Sequence, residues 1–247
     1  MLSDLHCHIL PGIDDGARDE EMSGALLTSE REQGAGQIIF TPHFYADRMQ
    51  TEKFIEDRDR AFAGMEDLIG SLGLMAQKGA EVRMQEKLLD MDLAPLRLGN
   101  THYFLLEWPF SAYPMWGEDV VYKLLDQGIR PLFAHIERYE YFFRNEENLE
   151  YFRSLGCLFQ VNADTVLNPR QQYQVFHLIK DGYLHVTASD AHNTAGRPSN
   201  LKKALDCIRE NLGDPIADWM IRNADHIFHD RPVEILTRDI VSSYKNI

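Results

Sequence analysis

The 247-residue chain is poor in several features that would assign it to a large class of proteins. It has three cysteines, Cys7, Cys157 and Cys207, and no CxxC pair. Neither a disulfide framework nor a thiolate zinc site is therefore expected, and an odd count suits a reducing compartment. None of the three is followed at the sixth position by arginine, since those positions hold Ile13, Ala163 and Gly213; this excludes a nucleophilic Cys-x5-Arg loop. No apolar run approaches the roughly 18 residues of a membrane span. The opening Met1 to His6 lacks the basic region and apolar run of a signal peptide, so a cytoplasmic protein without membrane insertion is expected. Cations are scarce, 25 Lys and Arg against 39 Asp and Glu for a net charge of −14. That balance disfavours a nucleic-acid partner, although bound metal ions could still reverse the field locally for a phosphorylated substrate. There is no Gly-rich dinucleotide fingerprint, no Pro/Gly/Ser linker and no internal repeat, which points to one domain over residues 1–247.

What is present is a repeated alternation of short apolar runs with helical patterns. Strands are expected at Leu2 to Leu5, Gln37 to Phe40, Leu74 to Ala80, Thr101 to Leu106, Ile129 to Ala134, Cys157 to Val161 and Tyr183 to Ala188. Between them the pattern predicts helices over Glu20 to Gln33, Thr51 to Ser71, Asp119 to Asp126, Glu146 to Leu155 and Gln171 to Asp181, with Ser199 to Leu212 closing the series. Glycines at 34 and 128 mark helix ends. Val82 to Asn100 reads as an excursion between the third and fourth strands, and the chain from Ile216 onward as extra helix and extended tail. Alternating units of this kind imply a parallel sheet. Seven of them in a chain of this length favour a closed α/β barrel, which commonly needs about 200–250 residues.

The residues that follow the strands are chemically alike. His6 and His8 follow the first, with Asp14 and Asp15 just beyond. His43 follows the second, Glu81 the third, Glu107 the fourth, His135 the fifth, and Asp190 with His192 the seventh. Each alone is more simply a capping carboxylate or a satisfied core histidine. Six of seven strand ends carrying one is a different matter, because the C-terminal ends of parallel barrel strands converge on one face. Histidine and carboxylate together are ligands for borderline-to-hard divalent ions.

The stretch Asp4-Leu5-His6-Cys7-His8-Ile9-Leu10-Pro11-Gly12-Ile13-Asp14-Asp15-Gly16 resembles the opening motif of the PHP (polymerase and histidinol phosphatase) superfamily. More narrowly it is similar to the bacterial manganese-dependent protein-tyrosine phosphatases of capsule and exopolysaccharide loci. Thr41-Pro42-His43, Gly79-Ala80-Glu81, Leu106-Glu107, Ala134-His135-Ile136-Glu137-Arg138-Tyr139 and Ser189-Asp190-Ala191-His192 continue the match in order. The resemblance implies a distorted (β/α)7 barrel with three divalent metal ions, expected to be Mn, with Fe, Mg and Zn as alternatives. It implies that His6, His8, Glu81 and Asp190 hold one ion, that Glu81 bridges to Glu107 and His135 on a second, and that Asp15, His43 and His192 hold the third. Asp14 is then expected to support the loop.

The same resemblance assigns Arg138 and Arg197 to phosphate binding, with attack by a metal-activated hydroxide. Four carboxylates against three divalent ions would leave a surplus of about +2 for a phosphoryl dianion. The partner implied is a phosphotyrosine protein, a bacterial tyrosine kinase tail. Oligomeric state is left open. Phe44, Tyr45, Trp108, Tyr113, Trp116 and Tyr139 could grip a phenyl ring or be ordinary packing. His102, His177, His185, His226 and His229 are expected to be structural. Two competing readings are a phosphoesterase acting on a small phosphomonoester such as histidinol phosphate, and a non-catalytic module that binds phosphotyrosine.

Overall fold

The structure, a computed structural model, describes residues 1–236. Its strands are β1 (Leu2–Cys7), β2 (Ala35–Phe40), β3 (His43–Phe44), β4 (Met75–Lys78), β5 (Glu81–Arg83), β6 (Tyr103–Glu107), β7 (Arg130–Phe133), β8 (Leu158–Asn162) and β9 (Val186–Ala188). Its α-helices are α1 (Glu20–Glu32), α2 (Thr51–Ser71), α3 (Gly117–Asp126), α4 (Glu140–Phe143), α5 (Glu146–Ser154), α6 (Ala163–Leu167), α7 (Gln172–Lys180), α8 (Leu201–Leu212) and α9 (Asp214–Phe228). Every strand pair is parallel. The order is β1-β2-β4 in one sheet and β3-β5-β6-β7-β8-β9 in the other.

The seven expected units are all there, but two strands are broken. Thr41–Pro42 divides β2 from β3, and Gly79–Ala80 divides β4 from β5. The lower pieces pair with each other and the upper pieces pair with each other, so one adjacent pair of strands bends in two places at once. The expectation of an excursion from Val82 is corrected here: Val82 and Arg83 continue β5, with Val82 paired to Leu106. The irregular part is the pair of short 3₁₀ turns over Glu86–Asp90 and Ala94–Leu96. Between β9 and β1 the ring is completed by one bridge, Cys7 to Ala191. His8 N–H donates to Ala191 O and Asp190 N–H to His6 O, both at 2.8 Å. The result is a distorted barrel.

Alternation along the strands sorts side chains between two layers. Ile39, Tyr103, Leu105, Leu132, Leu158 and Val186 join an inner cluster. Phe104, Leu106, Phe133, Phe159 and Val161 face the surrounding helices, and Ile38 and Phe40 pack with Leu26, Leu27, Met65 and Ile69 of α1 and α2. Ala224, Ile227 and Phe228 of α9 complete the inner cluster. The expected extra helix therefore seals the barrel at the end away from the strand C-termini; the tail beyond residue 236 lies outside the described residues. Climbing one inner row shows the change of chemistry: Leu158 is apolar, while Gln160 and Asn162 above it are amides. On β6 the same row runs Tyr103, Leu105, Glu107. Apolar packing below and polar groups above define the floor of a site.

Candidate metal centre

All nine residues expected as ligands meet at the C-terminal mouth of the barrel. His6 Nε2 and His8 Nε2 lie 3.2 Å apart. Each is 3.4–3.5 Å from Glu81 Oε2 and 3.4 Å from Asp190 Oδ1. Asp15 Oδ1 faces His43 Nε2 at 3.3 Å and His192 Nε2 at 3.4 Å. Glu81 lies between: Oε2 is 2.7 Å from His43 Nδ1, and Oε1 accepts from or bonds His135 Nε2 at 2.7 Å. Glu107 Oε1 is more distant, 3.9 Å from His135 Nε2, and its Oε2 accepts from Arg83 at 3.0 Å. Apart from half-buried His43 and exposed Asp15, these residues are buried.

The donor set fits divalent ions. Spacings of 3.2–3.5 Å between donor atoms are what ligands at about 2.0–2.2 Å from a shared centre leave between themselves. Glu81 Oε2, His43 Nδ1 and His192 Nε2 are buried yet make no hydrogen bond of good geometry among the described residues. Buried polar atoms without partners are uncommon and call for a missing cation or donor. Groups able to hold an ion through atoms within 4.8 Å of one another include His8 with Asp15, His43 and His192; His6 with His8 and Glu81; His6 with His135 and Asp190; and His43 with Glu81 and Glu107. His43 thus turns one nitrogen to each of two groups.

The remaining nitrogen of several histidines is tied down by protein, which leaves the inner one free for an ion. His6 Nδ1 pairs with Gln160 Oε1 at 3.1 Å, and the same oxygen accepts from His135 N–H at 2.9 Å. His8 Nδ1 pairs with Asp14 Oδ2 at 2.6 Å, His192 Nδ1 with the Asp190 carbonyl at 2.9 Å, and His135 Nδ1 with Tyr139 Oη at 3.1 Å. Asp14 also accepts from Gly16 N–H and His43 N–H at 2.9 Å each, so it shapes the loop as expected. Gln160 and Asn162 were not legible as site residues. They stand on β8, whose end carries no expected ligand, and amides give no charge signature in a sequence.

Electrostatics repeat the pattern. Burial opposes charge on Glu81 and Asp190, but the neighbouring histidines, His6 foremost, hold both carboxyls well below the usual range. Burial would likewise lower His6, His8 and His43; Glu81 and Asp190 raise His6, Asp14 raises His8, and Asp15 with Glu81 raises His43 to about 9. Burial wins at His135 and His192, both held down at about 4. Fixed negative charge thus draws protons onto three histidines where metal cations would do the same work. His135 (φ 31°) and Asp190 (φ 52°) are also left-handed, a conformation that His and Asp tolerate but that still marks local strain.

Arg138 and Arg197 both reach the site, and both are engaged. The Nη2 of each donates to Asp190 Oδ2, at 2.8 and 2.7 Å, and Asn162 Nδ2 donates to the same oxygen at 2.7 Å. Each side chain is 36% exposed, with further N–H groups at the rim. Of the two readings open for the aromatics, packing holds for most. Phe44, Trp108 and Tyr139 are fully buried, and Tyr113 and Trp116 pack on that core. Two of them touch the ligands: buried Tyr139, through its hydroxyl on His135, and half-buried Tyr45, 5.4 Å from His43. The exposed ring at the mouth is Phe110, missed because no strand-end pattern points to it. Of the other histidines, His102 pairs with Asp230, His229 with Asp225, His226 with the Pro232 carbonyl, and buried His185 accepts from Phe159 N–H. His177 meets Glu146 and Asp181 at the surface.

Comparison with known proteins agrees with this geometry. A profile of the family described as capsular polysaccharide synthesis, CpsB/CapC, matches residues 2–229. The chain is 28% identical to the tyrosine-protein phosphatase CpsB of Streptococcus pneumoniae, over 96% of this chain and 99% of that one. It is 29% identical to the tyrosine-protein phosphatase YwqE of Bacillus subtilis, over 93% and 92%. A solved chain from the crystal structures of YwqE from Bacillus subtilis and CpsB from Streptococcus pneumoniae, described as metal-dependent tyrosine phosphatases, matches with a TM-score of 0.85 at 26% identity, covering 95% of this chain and 97% of that one. A β-aspartyl dipeptidase of Fervidobacterium islandicum, 15% identical at a TM-score of 0.56 over 92% and 72%, shares the fold alone.

Proposed function

The chain belongs to the capsular polysaccharide synthesis CpsB/CapC family, and from that premise we propose that it is a metal-dependent protein-tyrosine phosphatase. Its substrate is phosphotyrosine on a protein, in this reading the tail of a bacterial tyrosine kinase that controls capsule or exopolysaccharide synthesis. It works as a single domain over residues 1–247 in the cytoplasm. The observation that carries the reading is the convergence of His6, His8, Glu81 and Asp190 on one buried space at ligand spacing. Three ions, manganese first among the candidates, would be held by His6, His8, Glu81 and Asp190, by Glu81, Glu107 and His135, and by Asp15, His43 and His192. Bound there, divalent ions would polarise the phosphoryl group and lower the pKa of water to near neutrality.

The chain's own residues do the rest. Arg138 and Arg197 present N–H groups beyond those spent on Asp190, and these can take phosphoryl oxygens in a charge-assisted, bidentate manner. Gln160, Asp14 and Asn162 fix which atoms of His6, His8 and Asp190 point inward. No cysteine is available as nucleophile: Cys7 and Cys157 are buried, and burial raises the thiol pKa of both and of Cys207. Steady-state turnover of a phosphotyrosine peptide and of histidinol phosphate, each with added Mn, tests the proposal. The peptide should be the better substrate by kcat/KM, and His6→Ala should abolish its turnover while the barrel persists. Preference for histidinol phosphate would replace this reading with that of a small-molecule phosphoesterase.

A further inference from the structure

We infer that Phe110 is the surface on which the substrate's aromatic ring rests, and hence a specificity-determining residue for aryl over alkyl phosphates. This rests on the phosphatase reading above and adds a subsite to it. Phe110 follows β6 three residues after Glu107. Its ring lies 6.2 Å from His135 and 5.6 Å from Tyr139, within 26° of parallel to each. The Arg83 guanidinium, 4.7 Å from the ring centroid, anchors it while donating to Glu107. A large apolar side chain held by three neighbours is expected to be covered, yet 46% of Phe110 is exposed. Tyr122 and Tyr173 are exposed as well, so exposure alone is ordinary; what distinguishes Phe110 from the buried Phe44, Trp108 and Tyr139 is an exposed ring stacked on a ligand histidine, His135.

The location gives the exposure a use. The ring stacks on His135, whose Nε2 is 2.7 Å from Glu81 and 3.9 Å from Glu107, so a phosphoryl group seated over these ligands puts its ester oxygen and the attached group within reach of Phe110. Tyr45 stands beside His43, the two rings 5.4 Å apart, and offers a second flat wall. Offset or edge-to-face contact with a substrate ring would add to simple area burial. An alkyl phosphate has no ring to place there.

Phe110→Ala, Phe110→Trp and wild type are compared on p-nitrophenyl phosphate and on glycerol 2-phosphate with Mn, and titrated calorimetrically with phenylphosphonate and methylphosphonate. The alanine variant should lose about tenfold in kcat/KM on the aryl ester, mostly in KM, and less than about twofold on the alkyl ester. Its preference for phenylphosphonate over methylphosphonate should fall by a similar factor, Trp should restore both, and metal content should stay constant. Equal losses on the two esters, or wild-type behaviour of Phe110→Ala on an aryl ester that wild type hydrolyses, would overturn the subsite alone. A wild type with no turnover of either ester would instead overturn the phosphatase reading on which it rests.

Discussion

At the residue scale, Asp190 is the most constrained group in the site. One oxygen faces His6 and His8, and the other accepts from Arg138, Arg197 and Asn162. From the sequence, the two arginines are expected to clamp phosphate, with a surface salt bridge as the alternative for each. The geometry gives each a second duty, holding a metal-ligand candidate. Arg138→Ala or Arg197→Ala should therefore lower kcat/KM by about 2–4 kcal/mol, with Lys recovering only part. Removing both together should also lower bound metal, measured by elemental analysis. Full activity in both single variants would remove the arginines from phosphate binding. Far from the site, burial holds His185 neutral at about 3. Its folded pKa lies below the unfolded 6.5, so the unfolded chain binds the extra proton. Stability is then present above pH 6.5 and lost as pH falls toward 3, a contribution on the order of 5 kcal/mol. His185→Asn should flatten that acid limb in denaturant melts taken from pH 7 to pH 4; an unchanged limb would assign the loss to other groups. The ligands themselves were legible because charged or imidazole side chains recur at strand ends. Gln160, Asn162 and Phe110 were not, since an amide or a lone aromatic in a loop is unremarkable until its neighbours are known.

At the scale of elements, helix α2 was legible to the residue and most strand cores to within two or three, because apolar periodicity and Gly stops report local structure directly. The breaks in the second and third strands were not, since they depend on how each strand pairs above and below the bend. His43 and Glu81 open β3 and β5 and are partners across that ladder, which is why they arrive side by side. The loop after β1 is equally exacting. A Cβ on Gly16 would stand 2.0 Å from His8 O and 2.5 Å from His8 Cβ, in the segment that aims Asp14 and Asp15. Gly16→Ala should keep the helical and strand signals in far-ultraviolet circular dichroism yet lose on the order of 100-fold in kcat/KM, the cost of misplacing reacting groups by about 1 Å. Retained activity would mean that the loop can shift without carrying Asp15 away.

At the scale of the whole molecule, the fold separates stability from chemistry. The inner apolar cluster closed by α9 keeps water from the lower half of the barrel, and the helices bury a second layer outside the strands. The upper mouth can then hold buried carboxylates and histidines, with atoms such as His192 Nε2 left without a hydrogen bond among the described residues. An acidic chain of net charge −14 can in this way attract a phosphoryl dianion at one point on its surface. The central claim is that this mouth binds divalent ions and needs them to hydrolyse phosphotyrosine. Phosphate release from a phosphotyrosine peptide, followed while Mn is titrated into chelator-stripped protein and bound metal is counted, tests it most directly. Activity should be absent from the stripped protein and rise in step with occupancy of the site, and His6→Ala and Asp190→Ala should depress both together. Full turnover by protein free of divalent metal would contradict the account.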